Sequence, residues 1–147
     1  MTETPAKPWT WAAGGFIAAS AMFLGASLLA ADAPPKPVSA KQVFSEKLPN
    51  VPGKAITGVL VTYAPGGKSA SHAHAGSVYA YVLSGQIRSE NSVTGPAKVY
   101  SAGEGFFEPP GSVHTISENA SNSEPATLLA IFVADDGAQL TGPAPRK

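Results

Sequence analysis

Short runs of alternating apolar and polar residues, separated by turn residues, dominate the chain after residue 53. Residues 54–63 (KAITGVLVTY) form the firmest run, because they are rich in β-branched residues and long enough to cross a sheet. Turn signals recur about every 8 to 12 residues, a spacing typical of antiparallel sandwiches and barrels. The pattern predicts an all-β domain, with further strands at 42–45, 77–83, 86–92, 98–100, 106–108, 113–117 and 127–134.

The first thirty-one residues follow a different pattern. Residues 9–31 (WTWAAGGFIAASAMFLGASLLAA) carry no charged side chain, and a proline-rich stretch at 34–37 follows them. The run is typical of a secretory signal peptide, with cleavage expected near Ala30 or Ala31. It is also just long enough to span a bilayer, so an uncleaved N-terminal anchor is the alternative. We therefore expect an exported protein, periplasmic or secreted, or one anchored in the inner membrane.

These patterns divide the chain into four parts. Residues 1–31 are the predicted signal peptide or membrane anchor, and residues 32–53 are a linker and N-terminal arm. Residues 54–136 hold the predicted β-barrel, and residues 137–147 are a polar C-terminal tail. The domain organisation predicted is thus one small β domain behind a targeting segment.

Charge and cysteine content exclude several classes of partner and site. Ten basic and ten acidic residues cancel, so no net field attracts nucleic acid or anionic lipid. Membrane contact is expected only through the N-terminal segment, if it stays uncleaved. The chain has no cysteine, so disulfides and thiolate metal sites are excluded. A bound metal would have to use histidine, carboxylate or water.

The three histidines of the chain are the strongest chemical signal. His72 and His74 flank one residue, and in a strand that spacing puts both imidazoles on the same face. Two converging imidazoles can hold a transition metal if a third ligand arrives from elsewhere. His114 is the remaining histidine. All three are therefore candidates for a single metal site.

Glu108 is the candidate carboxylate near this site. It stands six residues before His114 and could supply a carboxylate or act as a proton-transfer group. The alternative is a solvated residue at the end of a strand.

The segment around the histidine pair resembles the first motif of the cupin superfamily. Gly66 is followed by five residues and then by His72 and His74, and Gly85 comes eleven positions after His74. The glutamate of that motif is missing, since the matching position is Val78, or position 79 under the longer spacing. A site that has decayed is one interpretation of this difference.

The segment around the third histidine resembles the second cupin motif. Gly103, Pro109, Gly111 and His114 fall at the motif positions, and the final asparagine comes one residue late, at Asn119. The resemblance implies a small double-stranded β-helix of the jelly-roll type, with a metal held by the three histidines. It does not fix the chemistry, because one fold hosts many functions.

The resemblance also implies a set of functions to weigh. Cupins that keep three histidines and lose the glutamate include diketone-cleaving and thiol dioxygenases, which use ferrous iron. We therefore expect a divalent transition metal, Fe²⁺ first and otherwise Mn²⁺, Ni²⁺, Cu²⁺ or Zn²⁺. The leading prediction is a metal-dependent, oxygenase-like enzyme acting on a small organic molecule. The alternatives are a non-catalytic module that binds or senses a small ligand or metal, and a metal-independent isomerase. A homodimer is also expected, since small cupins commonly pair through sheet edges.

Overall fold

The computed structural model describes residues 37–145, all of which belong to one compact unit, Ala33–Lys147. The predicted signal peptide or anchor at 1–31 lies outside the described residues. In the part that is described, no helix has the length and apolarity that crossing a membrane would require.

The described chain is all-β, as the sequence predicts, and residues 37–145 contain no helix. Eight of its ten strands overlap runs that the sequence predicts. They are β1 (Val38–Lys47), β2 (Lys54–Tyr63), β3 (His72–His74), β4 (Ser77–Ser84), β5 (Gln86–Asn91), β6 (Gly95–Ser101), β7 (Gly105–Glu108), β8 (Val113–Asn119), β9 (Ala126–Asp135) and β10 (Thr141–Pro143).

The strands form two five-stranded antiparallel sheets. The order is β1-β2-β9-β4-β7 in the first sheet and β10-β3-β8-β5-β6 in the second. This arrangement confirms the jelly-roll class but corrects the expectation of a barrel, since the two sheets are not closed into one by strand pairing. The chain instead packs sheet on sheet, which needs no hydrogen bonds between the layers.

The two sheets contribute different side chains to the interior. Along β4, Val78, Ala80 and Val82 are buried while Tyr79 and Tyr81 are exposed, so the apolar positions of this strand face inward. The buried polar side chains of the described residues lie largely on the second sheet, among them Ser89, Asn91, His114, Ser117 and Asn119. The interior therefore has an apolar wall and a polar wall, and the histidines lie on the polar one.

Two strands lie in segments that the sequence analysis assigns to other parts of the chain. β1 lies within the predicted arm, includes the edge-strand signal at 42–45, and pairs along its length with β2. β10 lies in the predicted tail and pairs with β3, where Thr141 is opposite His74. Neither has a strong apolar alternation, because β1 is an edge strand with nine of ten residues exposed and β10 has only three residues. Pairing with neighbouring strands, not local pattern, makes both of them strands.

The turn at Gly85 joins the two sheets, since β4 belongs to the first and β5 to the second. Its φ of 70° lies in the left-handed region, which glycine occupies without steric cost. A Cβ there would also lie 2.7 Å from the carbonyl oxygen of Pro125. Glycine is thus required both by conformation and by space.

Candidate metal centre

Antiparallel pairing of β3 with β8 brings the three histidines together. His72 and His74 lie on β3, and the register of the two strands places His114 directly opposite His72. One ring nitrogen of each histidine lies within 4.8 Å of the others, and this is the only such group of potential ligands in residues 37–145. The ring centroid of His72 lies 4.8 Å from that of His74 and 5.0 Å from that of His114. The structure thus groups all three residues that the sequence predicts as ligands.

Hydrogen bonds to the backbone fix the orientation of the two histidines of β3. His72 Nδ1 donates to the carbonyl oxygen of Ala70 at 2.7 Å, and His74 Nδ1 donates to that of Leu140 at 3.2 Å. A carbonyl only accepts, so each Nδ1 carries the proton and each Nε2 keeps a free lone pair. Metal-binding histidines are held by partners of this kind. Both rings are therefore prepared to ligate through Nε2.

The imidazole of His114 is held through its other ring nitrogen, Nε2. His114 Nε2 lies 2.8 Å from Ser89 Oγ, and both side chains are buried. That contact leaves His114 Nδ1 as the nitrogen next to Glu108 Oε2, 3.2 Å away. The ring thus presents Nδ1 to the other site residues.

Burial keeps two of the imidazoles neutral. Burial, with the charge of His72, lowers the pKa of His74 to about 4, against the opposing effect of the Leu140 carbonyl. Burial, with the charges of His72 and His74, lowers the pKa of His114 to about 3. Because a metal competes with protons for imidazole, neutral rings at ordinary pH favour ligation.

Glu108 is buried beside these histidines and is not a solvated strand end. It is 3% exposed, and its Oε2 lies 3.8 Å from His74 Nε2 and 3.2 Å from His114 Nδ1. Burial raises the pKa of Glu108 to about 7, partly offset by a hydrogen bond from Asn91. No side-chain nitrogen or oxygen buried in residues 37–145 lacks a hydrogen-bond partner. Its role as an acid, base or ligand stays a prediction.

A cavity of about 380 Å³ opens onto the histidines and Glu108. Most of its wall is apolar and comes from the first sheet, with Val59, Val61, Leu128 and Phe132 among the lining residues. Tyr63 and Ser117 also line it, and their hydroxyl oxygens are 2.6 Å apart. The volume is within the range of small-molecule sites.

Several residues around the site escape sequence reasoning. Tyr63 and Ser117 line the cavity and Ser89 contacts His114, but none of the three lies at a motif position, and pairing within each sheet brings them there. Leu140 and Thr141 reach His74 only because β10 pairs with β3. Ser117 lies two residues before Asn119, so both side chains point to the same face of β8, and both are buried. This spacing from the motif asparagine is the local pattern that predicts an inward direction for Ser117.

The donor set fits a divalent transition metal. Three imidazoles, two of them with a defined free Nε2, are the nitrogen ligands that Zn²⁺, Fe²⁺, Mn²⁺, Ni²⁺ and Cu²⁺ accept. The carboxyl group of Glu108 adds an oxygen donor close to two of them.

Comparison with known proteins agrees with the fold. The family model described as "Cupin domain" matches residues 59–132, so the chain belongs to the cupin family. None of the curated proteins compared with the chain matches it in sequence.

Solved structures share the architecture. An uncharacterised conserved protein with a double-stranded β-helix domain from Klebsiella pneumoniae aligns with a TM-score of 0.56 and 23% identity, over 74% of this chain and 85% of that chain. DMSP lyase DddQ from Ruegeria pomeroyi gives 0.52 and 16% identity, over 63% of this chain and 45% of that chain. At these identities the likeness supports the fold alone.

A part of oxalate decarboxylase from Bacillus subtilis is also similar, with a TM-score of 0.50 and 30% identity. The alignment covers 60% of this chain but only 23% of that chain. That enzyme contains Mn(II) centres.

Proposed function

We propose that the chain is an exported, metal-dependent cupin enzyme, oxygenase-like in its chemistry, which acts on a small organic molecule. The observation that carries the proposal is the convergence of His72, His74 and His114 at a mostly apolar cavity. A site that had decayed would have no need to keep the ring nitrogens oriented by Ala70 and Leu140.

In this proposal the three histidines hold a divalent ion. When bound, the ion supplies Lewis acidity and a site at which substrate and dioxygen can react. The carbonyl oxygens that accept from the β3 histidines keep the ligand nitrogens aimed at one point. Glu108 is the only carboxyl group among the residues that line the cavity, so any proton transfer by a protein carboxyl falls to it.

The cavity wall suggests the kind of substrate. Its lining residues include no lysine or arginine, and most of them are aliphatic or aromatic. An anionic substrate would therefore find no protein cation apart from a protonated histidine. We infer a small molecule with an apolar body and one oxygen- or sulfur-bearing group that binds the metal, oriented by the hydroxyls of Tyr63 and Ser117.

The metal proposed is Fe²⁺ or Mn²⁺. Ferrous iron is the choice that follows from an oxygenase reaction. Manganese gains support from the Mn(II) centres named for the oxalate decarboxylase, which is similar to 60% of this chain. Imidazole together with a carboxyl oxygen suits both ions.

Metal analysis combined with oxygen uptake tests the proposal. Elemental mass spectrometry on the chain beginning at Asp32 should find close to one transition-metal ion per chain, and oxygen consumption should rise with a diketone, catechol or thiol substrate. A His72→Ala variant should lose both. A chain that takes up no metal after reconstitution would overturn the metalloenzyme proposal.

A non-catalytic small-ligand or metal-binding module is the second candidate. It is favoured by the shortage of acid–base groups, since Glu108 is the only acidic residue in the cavity lining. Under this alternative a ligand binds reversibly in the presence of metal and is recovered unchanged after prolonged incubation. Any product formed in a metal-dependent manner would exclude it.

Export and self-association are proposals of the same kind. Residues 9–31, which are uncharged and end in small residues, support export, and cell fractionation with mass determination of the mature N-terminus would test it. A homodimer is supported by exposed apolar side chains on the outer face of the first sheet, including Tyr79, Leu83 and Phe107. Light scattering coupled to size exclusion would measure the mass in solution.

A further inference from the structure

We propose that Glu108 is the fourth protein ligand of the metal centre, and that it supplies from β7 the carboxylate that position 78 of β4 lacks. This inference rests on the metal centre proposed above. It replaces the picture of an open site with three nitrogen ligands by one with three nitrogens and one oxygen.

The Glu108 carboxylate lies close to two of the proposed ligand nitrogens. Glu108 Oε2 lies 3.2 Å from His114 Nδ1 and 3.8 Å from His74 Nε2. Two donors bonded to one ion at about 2.1 Å lie about 3.0 to 3.4 Å apart when the bonds enclose about 90° to 110°. The first distance already falls in that range, and the second needs to shorten by only a few tenths of an ångström. A single ion can therefore bond Glu108 Oε2 together with His114 Nδ1, and also His74 Nε2 once the ring nitrogens, which lie within 4.8 Å of one another, draw together around it.

The register of the first sheet places Glu108 beside the position that lacks a carboxylate. β4 and β7 are antiparallel neighbours, and Val78 pairs directly with Glu108. Both residues are buried and both line the cavity, so both side chains point to the same side of the sheet. Directly opposed residues on one face have Cβ atoms about 4.5 to 5.5 Å apart, a gap that a glutamate side chain bridges. A carboxylate at 108 can thus reach the space that a glutamate at 78 would occupy.

The Glu108 carboxylate has few partners that would compensate a negative charge. Among residues 37–145, its ion-pair partners within 4.0 Å are His74 and His114, two of the proposed ligands, and no lysine or arginine is among them. Its one hydrogen bond to a side chain, from Asn91 Nδ2, is long at 3.4 Å. Burying a carboxylate without a cation is costly, because the charged form loses its hydration. A divalent ion at the histidines would compensate that charge directly.

The consequence is a site with a different charge and different vacancies. One carboxylate ligand reduces the net charge of the ion and its protein ligands from +2 to +1. With Glu108 beside the three histidines, the protein would fill four positions on the ion, and fewer would be left for substrate than in a site of three histidines. A hard oxygen ligand also favours Mn²⁺ and Fe²⁺ over Cu²⁺ relative to a site of nitrogen ligands alone.

Metal affinity of four chains tests the inference. The chains are the unaltered protein, Glu108→Gln, Glu124→Gln as a control at an exposed carboxylate, and the exchange Val78→Glu with Glu108→Val. Each is stripped of metal and titrated with Mn²⁺ alone at pH 8 by calorimetry. We expect Glu108→Gln to raise the Kd by at least about tenfold, since tenfold is the lower end of the loss caused by mutating residues that only hydrogen-bond to metal ligands. Glu124→Gln should leave the Kd within about twofold, and the exchange should recover most of the lost affinity.

A spectroscopic measurement separates ligation from a nearby charge. At saturating Co²⁺, loss of a ligand changes the visible absorption bands of the ion, whereas loss of a charge that does not ligate leaves them nearly unchanged. An altered spectrum in Glu108→Gln supports the inference. An unchanged spectrum, or a Kd for Mn²⁺ within about twofold of the unaltered protein, would overturn it while leaving the histidine site intact.

The remaining outcomes are also decisive. If the unaltered protein binds neither Mn²⁺ nor Co²⁺, the proposed metal centre fails and this inference fails with it. If the exchange variant does not fold by circular dichroism, Glu108→Gln and its Co²⁺ spectrum decide the question alone.

Discussion

Replacing Glu108 with glutamine is expected to stabilise the metal-free chain at and above neutral pH. The carboxyl group is 3% exposed, and burial raises its pKa from 4.5 to about 7. Glutamine has nearly the same shape, can accept from Asn91 as the carboxylate does, and cannot ionise. The substitution therefore removes the cost of a buried charge and little else.

The size and pH dependence of the gain follow from the two pKa values. Below about pH 4.5 the carboxyl is protonated in both the folded and the unfolded chain, so the substitution has almost no effect. Between pH 4.5 and 7 the unfolded chain ionises and the folded chain resists ionisation, which lowers the free energy of unfolding of the unaltered protein. Above pH 7 the difference between the two values is fully expressed. At about 1.4 kcal/mol for each pH unit, the glutamine variant gains roughly 3 kcal/mol.

Urea unfolding measures this gain, with far-ultraviolet circular dichroism as the probe. Both chains are compared with a chelator present, at pH 4 and at pH 8. For a slope of about 1 to 3 kcal/mol per molar urea, a gain of roughly 3 kcal/mol moves the midpoint by about 1 to 3 M. The midpoints should coincide at pH 4 and separate at pH 8.

Equal midpoints at both pH values would refute the reasoning, because they would mean that Glu108 ionises in the fold without cost. The same comparison with saturating Mn²⁺ should show a smaller advantage of the glutamine variant, by about 1.4 kcal/mol for each tenfold rise in Kd, since binding to the folded state stabilises it with the logarithm of the affinity. A residue that destabilises the metal-free fold but raises its affinity for the metal is typical of a functional site.

Other substitutions and conditions test the remaining parts of the structure. His72→Ala should reduce bound metal from about one ion per chain to near zero by elemental mass spectrometry, and unchanged loading would contradict the site. In the metal-free glutamine variant, stability should fall as pH drops from 6.5 towards 4, because burial lowers the pKa of His74 to about 4 and of His114 to about 3 while the unfolded chain takes up both protons. A urea midpoint that stays flat over that range would contradict those values. Gly85→Ala should cost more than about 1 kcal/mol, because its φ is 70° and a Cβ would lie 2.7 Å from a backbone oxygen. Gly103→Ala, with φ of 90° and no atom within 4 Å, should cost less, and equal losses in thermal unfolding would show that crowding is unimportant.

Local patterns in the sequence determine most of the strands and one part of the site. The apolar run at 54–63 corresponds to β2 residue for residue, because a long run rich in β-branched residues fits the pleated, half-buried surface of a sheet. The spacing of His72 and His74 places both rings on one face wherever that strand pairs, since side chains alternate along any strand. The two motifs likewise identify the cupin fold before any tertiary contact is known, and the family match confirms it.

Tertiary pairing decides the rest. β1 and β10 have little apolar pattern and are strands only because β2 and β3 offer them open edges. Glu108 is ambiguous in the sequence, where Pro109 and Gly111 interrupt its relation to His114. The ladder between β4 and β7 places it opposite Val78 and beside the histidines. Periodicity depends on the local backbone and can be read along the chain. The partners of a strand and their register depend on long-range hydrogen bonds and packing, which only the folded molecule specifies.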